Sequence, residues 1–268
     1  MIDVLISFIS VNGSPGVSTA AMALTWVWPR HAVVAECDPT GGRALGVFDP
    51  DGSHSRTGVF ELMLQARTMP LHRAMSSQLL VLPDGTGRHH LLAGASSPRE
   101  ADSLDWRRLT SLFLDLETVD VLADCGRFRS RATPTAVLSE ADLVVVVVRN
   151  CRGSLQTLVK AAGVLREEHG IFDNEGLVVL ITDPDSRTHQ RFPHSEIGKE
   201  LGLHVVGALP WDPTCAAQFT DLHRPGRKFE TSPLLTHARQ AADEIGRRAM
   251  ERMSWLRKPP PVVNGHVR

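Results

Sequence analysis

An α/β fold with a doubly wound, mostly parallel sheet and helices on both faces is what this chain predicts, from three observations. Apolar runs rich in Val, Leu and Ile recur at residues 4–11, 31–37, 119–124, 143–148, 177–182 and 204–209. They are continuous rather than alternating, as strands buried on both faces require. Turns and helix-like segments separate these runs, the crossovers that parallel neighbours need. Finally, 268 residues, 42% of them hydrophobic, suffice for a large core near the upper end of a single domain.

In chain order, the first strand breaks into Asn12-Gly13-Ser14-Pro15-Gly16-Val17-Ser18-Thr19 and then a small-residue helix over 19–28. The second strand ends in Glu36-Cys37-Asp38-Pro39-Thr40-Gly41-Gly42. A helix over 58–67 leads to a hairpin, 79–82 and 89–92, around Pro83-Asp84-Gly85-Thr86-Gly87. It adds an antiparallel piece at one side of the sheet. A helix over 103–117 precedes the strand that ends in Asp124-Cys125-Gly126-Arg127, and a helix over 133–139 precedes Leu143 and its five valines. Helices over 154–168 and 194–201 flank the strand 177–182. The last strand closes in Gly207-Ala208-Leu209-Pro210-Trp211-Asp212. A final basic helix follows, and past Leu256 the run Pro259-Pro260-Pro261 argues against more helix. The expectation is one domain over 1–256 and a disordered tail over 257–268.

Composition narrows the function classes. A net charge of -1 gives no whole-molecule reason to expect nucleic acid. Cys37, Cys125, Cys151 and Cys215 form no CxxC pair and no zinc spacing, and read as buried small hydrophobes in a reduced cytoplasm. The scattered histidines fit no metal spacing. The apolar start lacks a basic leader and carries Asp3, so it reads as a core strand rather than a signal peptide. No apolar stretch reaches membrane-spanning length, which leaves peripheral attachment open.

A strand, a glycine turn and a helix N-terminus aim backbone N–H groups at one point, as phosphate-cradling loops do. The usual pattern is GxxxxGK[ST], with Lys on phosphate and the hydroxyl on Mg²⁺. Laid from Gly13, the frame puts Ser18 at the second glycine, Thr19 at the lysine and Ala20 at the hydroxyl. Alone, such a turn is more often only a turn. In open α/β sheets, however, ligands sit beyond the carboxyl ends of the strands. Asp124, closing an apolar strand before Gly126, suits a Mg²⁺-facing acid there.

Taken together, the order of these motifs resembles the MinD/ParA group of P-loop ATPases, with its KGGVGKT loop, DxDPxG segment, DxxxxD followed by glycine, and late GxIPxD. The resemblance spans roughly residues 2–250. Within that group, Asp124 to Arg127, Val147 to Arg149 and Glu36-Cys37-Asp38-Pro39 look like a divergent branch similar to TadZ/CpaE localisation factors. It implies that Gly13, Ser14, Pro15, Gly16, Val17, Ser18, Thr19 and Ala20 wrap the phosphates of ATP or ADP. Asp124, with Thr19 if the frame slips by one residue, faces Mg²⁺. Glu36 and Asp38 orient the attacking water, although Asp-Pro-Thr-Gly-Gly is equally a good turn. Thr182 and Asp183 lie where the base is read; Pro210, Trp211 and Asp212 wall it, although Trp211 also suits simple packing.

The departures weigh more. In this frame both family lysines fall on Ser14 and Thr19, so their charges are missing, and phosphoryl transfer is almost wholly positioning and electrostatics. Arg43, Arg127 and Arg149 leave strand ends on the ligand side, and Arg127 or Arg149 is expected to replace part of the lost charge. Residues 223–268 carry 10 Lys/Arg against 4 Asp/Glu. A DNA or membrane contact there is less favoured than a packed helix with a solvated basic face. The resemblance implies a homodimer that positions or regulates a pilus or secretion machine, in the cytoplasm, at the membrane surface or at a cell pole. Two alternatives stand beside it, a slow partition ATPase and a scaffold without nucleotide.

Overall fold

The computed structural model describes residues 3–13, 16–49, 51–52, 57–82, 87–128, 134–168, 176–185, 187, 191–220 and 226–256. The strands are β1 (Leu5–Ser10), β2 (Ala32–Glu36), β3 (Leu79–Val81), β4 (His90–Leu92), β5 (Asp120–Arg127), β6 (Leu143–Arg149), β7 (Leu177–Thr182) and β8 (His204–Leu209). The helices are α1 (Val17–Trp26), α2 (Ala44–Phe48), α3 (Val59–Gln65), α4 (Leu71–Gln78), α5 (Pro98–Asp102) and α6 (Trp106–Leu114). They continue with α7 (Thr135–Ser139), α8 (Arg152–Glu168), α9 (His194–Leu201), α10 (Pro213–Thr220) and α11 (Pro233–Leu256).

One eight-stranded sheet runs in the order β3-β4-β2-β5-β1-β6-β7-β8, parallel except for β3 against β4. The expected hairpin is present, with Leu80 opposite Leu91; its turn at 83–86 lies outside the described residues, as does the tail 257–268. The six apolar runs become the parallel core because each strand feeds both faces. In β1, Ile6 and Phe8 join the layer under α1, α10 and α11. Leu5 and Ile9 face the opposite layer, with α3, α4 and α6 to α9.

The short helices α2, α4, α5 and α10 are not among the elements expected from the sequence. α1 starts at Val17 rather than residue 19, and α6 is shorter than the expected 103–117. The long α11 packs Leu235, Ala238, Ala242, Ile245 and Ala249 into the core. Its basic residues are engaged close at hand. Arg247 bridges Glu244 and Glu251, Arg248 also meets Glu244, and Arg252 donates to the carbonyls of Ala141 and Asp142. Burial raises the Glu244 pKa, but hydrogen bonds from Arg247, Arg248 and His204 outweigh it and hold the carboxyl at about 2. The packed helix expected from the sequence is therefore present.

At the amino end of the sheet, Asp120 ties three segments together. Its Oδ1 accepts from Val4 N at 3.0 Å, and its Oδ2 accepts from Trp28 Nε1 and Arg30 Nε, each at 2.7 Å. The side chain is almost fully buried, so its removal strands a guanidinium and two N–H donors. Asp120→Ala is expected to cost about 3 to 5 kcal/mol, measured by urea denaturation. A cost below about 1 kcal/mol, the value of a surface pair, counts against this staple.

Candidate functional site

The carboxyl ends of β1, β2, β5, β6, β7 and β8 surround the start of α1. Gly16 forms its N-cap at φ 89° and ψ 35°, a left-handed conformation that suits glycine. No side chain caps this end and no acid occupies the first turn, so the first-turn N–H groups and the positive end of the helix dipole open onto the cleft.

This boundary corrects the loop frame. Ser18, expected at the second glycine, is helical; the position that demands glycine is Gly16, where the loop enters the helix. GxxxxGK[ST] therefore moves back two residues. Gly16 takes the second glycine's place, Val17 the lysine's and Ser18 the hydroxyl's, while Asn12 stands at the other family lysine. Ser18 donates a hydrogen bond to the Asp124 carboxylate, so Ser18 replaces Thr19 as the hydroxyl beside the acid. Val17 is 6% exposed and belongs to the core; both lysines remain absent. Ala20 is buried in α1 and faces a second cavity. Ser14 and Pro15, also expected to hold phosphate, lie outside the described residues, whereas Gly13 is exposed beside the cleft.

Two cavities meet at Thr19 and Thr220. The first, about 320 Å³, takes in Ser18, Glu36, Asp38, Arg43, Asp124 and Arg127. Asp124 and Glu36 sit opposite each other in the β2–β5 register. Asp124 also accepts from Gly126 N at 3.0 Å. Burial, opposed by Ser18 and Gly126 and reinforced by the negative charges of Glu36 and Asp38, raises its pKa to about 6.

Glu36 and Asp38 are already in use as structural acceptors. Glu36 Oε1 accepts from Arg43 N and Ala44 N at 2.9 and 3.0 Å, and Oε2 accepts from Gly94 N at 3.0 Å. Asp38 Oδ1 accepts from Thr40 N and Oγ1 at 2.8 and 2.7 Å, the turn expected for Asp-Pro-Thr-Gly-Gly. The Asp38 side chain lies where a Cβ on Gly126 would sit, and Gly126 has φ 63°. Both acids line the cleft, yet Glu36 is held so fully that its evident part is to shape the site.

The second cavity, about 260 Å³, runs between α1, the ends of β6 and β7, and α10. Arg149, Thr182, Asp183, Pro210, Trp211 and Asp212 line it, so the residues expected around a base are brought together. Trp211 is 48% exposed, presenting its ring to the opening. Asp212 caps α10, accepting from Cys215 N at 3.1 Å, and it also accepts from Leu234 N at 3.4 Å. Asp183 is anchored by Asn150 Nδ2 at 2.9 Å. Sequence reasoning missed Asn150, although a polar residue just after the valine strand was the available signal. It is fully buried, and its Oδ1 also accepts from Phe192 N at 3.0 Å.

Arginines flank both cavities. A Cβ on Gly13 would lie 3.8 Å from an Arg127 guanidinium nitrogen, so this side chain reaches across the loop. Arg149 opens into the second cavity and Arg43 into the first.

Similar architectures occur in solved structures. A ParA family ATPase from Chlorobium tepidum superposes with a TM-score of 0.69 at 14% identity, over 90% of this chain and 98% of that one. The cell division ATPase MinD of Pyrococcus furiosus gives 0.68 at 19%, over 90% and 98%. The fold is that of the MinD and ParA ATPases. Pyrococcus horikoshii MinD, complexed with Mg-ADP, gives 0.62 at 17% identity, over 94% and 99% of the two chains. No protein-family model and no curated protein matches the chain.

The donor set of this cleft fits a magnesium nucleotide. Open N–H groups at α1 suit phosphate, and Ser18 with Asp124 suits Mg²⁺, which takes one or two carboxylates plus phosphate oxygens. Among the described residues no group of three His, Cys, Asp or Glu side chains gathers as an all-protein metal site. Since burial raises the folded Asp124 pKa from its ordinary 3.8 to about 6, the fold gains fully from its protonation below about 4. That gain is lost as pH rises from about 4 to about 6. Asp124→Asn is therefore expected to raise stability by up to about 3 kcal/mol at neutral pH. Denaturant midpoints measured across this pH range check it; equal midpoints for both proteins at neutral pH contradict it.

Proposed function

We propose that this chain is a nucleotide-holding positioning or regulatory factor of the MinD/ParA type that hydrolyses ATP very slowly or not at all. The observation that carries the reading is the contrast at the start of α1. The hydroxyl–acid pair Ser18 and Asp124 is kept, while the lysine position holds the buried Val17. Removing one preorganised charge-stabilising donor costs about two to three orders of magnitude in rate. Bound Mg²⁺ supplies neutralisation of phosphate charge. The chain's own residues hold the phosphates on the α1 N–H groups, keep Asp124 poised through Ser18 and Gly126, and shield the base with Pro210 and Trp211. Arg127 and Arg149 replace part of the lysine's attraction for phosphate without restoring the point charge on the transferring group.

The same reading makes the active form a homodimer in the cytoplasm, at the membrane surface or a cell pole, attached to a pilus or secretion machine of the TadZ/CpaE kind. Aquifex aeolicus MinD forms a complex with MinC, which supports assigning a protein partner here. Among the described residues, no helix is long and apolar enough to cross a membrane. The ion pairs of Arg247 and Arg248 on α11 weigh against a DNA or lipid contact there.

Calorimetry with Mg-ADP and Mg-ATP, paired with turnover at high protein concentration, tests the proposal. Binding of both nucleotides with negligible turnover is expected. Hydrolysis at the rate of an intact site supports the partition ATPase instead, and the absence of heat with either nucleotide supports a nucleotide-free scaffold. Arg127→Ala and Arg149→Ala are each expected to weaken nucleotide affinity about tenfold. If neither changes it, arginine compensation is wrong. Val17→Lys is expected to raise turnover by about tenfold or more, and an unchanged rate in a folded variant locates the defect elsewhere.

A further inference from the structure

An apolar slot of about 90 Å³ adjoins the first cavity and shares Ser18, Glu36, Arg43 and Asp124 with it. Five elements supply its walls: Met22 of α1, Val34 of β2, Val47 and Phe48 of α2, Leu91 of β4 and Phe219 of α10. Met22, Val34, Leu91 and Phe219 are buried. The slot is too small for a purine, with room for about three water molecules, to which such walls offer few hydrogen bonds. The nucleotide reading leaves it unused.

Its polar end is unevenly engaged. The Glu36 carboxylate is taken up by the amides of Arg43, Ala44 and Gly94, and Asp124 accepts from Ser18 and Gly126. Arg43 differs from both. Its backbone amide serves Glu36, but its guanidinium makes no hydrogen bond or ion pair with any described residue. The residue is exposed where the slot meets the first cavity, and the phosphate contacts assigned above are Arg127 and Arg149. Arg43 is thus a cation with no assigned partner at the edge of an apolar chamber.

We propose that the slot binds a short aliphatic carboxylate, its tail between the apolar walls and its carboxylate on Arg43. The unpartnered guanidinium selects the head group, because its planar fork matches a carboxylate with two parallel hydrogen bonds. The walls select a hydrocarbon body, as apolar pockets with a few polar groups at one end do. The volume limits that body to on the order of four carbons. Glu36 and Asp124 oppose an anion that has no tail, so burial of the hydrocarbon must supply part of the affinity. The site is tested without nucleotide and stands or falls separately from the nucleotide reading.

Ligand-detected NMR titration of the full-length, nucleotide-free protein with pentanoate tests it. Pentanoate is expected to bind, and acetate and 1-pentanol, which lack the tail and the charge respectively, to bind about tenfold more weakly or worse. Arg43→Gln, at an exposed position, and Val47→Phe, which fills the slot from α2, are each expected to weaken pentanoate binding about tenfold. Arg99→Gln, exposed on α5 outside the lining of the slot, serves as the control and is expected to have no effect, with circular dichroism confirming the fold of every variant. Absence of pentanoate binding, equal affinity for acetate or 1-pentanol, or equal losses in the control and slot variants overturns the proposal. Binding of inorganic phosphate that depends on Arg43, without binding of pentanoate, also overturns it and assigns Arg43 to the nucleotide cleft.

Discussion

The carboxyl end of the sheet depends on the Glu36 carboxylate. By accepting from the amides of Arg43, Ala44 and Gly94, it joins the end of β2 to the start of α2 and to the segment after β4. A Cβ at Gly42 would collide with this carboxylate, and one at Gly94 would press on the Glu36 backbone and Cβ. Both positions are therefore kept to glycine largely by one residue. The negative charge of Glu36 also adds, after burial, to the rise of the Asp124 pKa.

The parallel core was legible because the physics that buries a strand on both faces leaves a plain trace. Leu143 and the five valines after it have few other structural uses, and Leu177–Thr182 and His204–Leu209 match the expected runs end to end. The loop was harder to place. Glycines at 13 and 16 each admit a frame, and only the observed helix start at Val17 distinguishes them. Ser18 and Thr19 are chemically near-equivalent in a sequence, but successive helical residues point about 100° apart, so just one can donate to Asp124. Asn150 escaped notice for a related reason. Its partners, Asp183 and Phe192, are far along the chain and meet it only through the parallel pairing of β6 with β7.

α1 connects cavities at opposite ends of the sheet. Its first turn faces the cleft of Ser18 and Asp124, and its last turn carries Trp26 into the groove below. Phe219 of α10 packs against Trp26 with centroids 5.8 Å apart and lines an apolar slot beside Asp124 and Ser18. The helix and its neighbour form a continuous packed path between opposite ends of the sheet. Such contiguity is a structural relation, and energetic coupling along it requires two arrangements of the same residues.

Val17 has a consequence for how order is acquired in this protein. The buried valine fastens the first turn of α1 to the core before any ligand is present. The binding surface is thus preorganised by packing, and less of the binding energy is consumed in ordering it. Under the proposed function, this packing suits a nucleotide held as a lasting structural component rather than as the timer of a cycle.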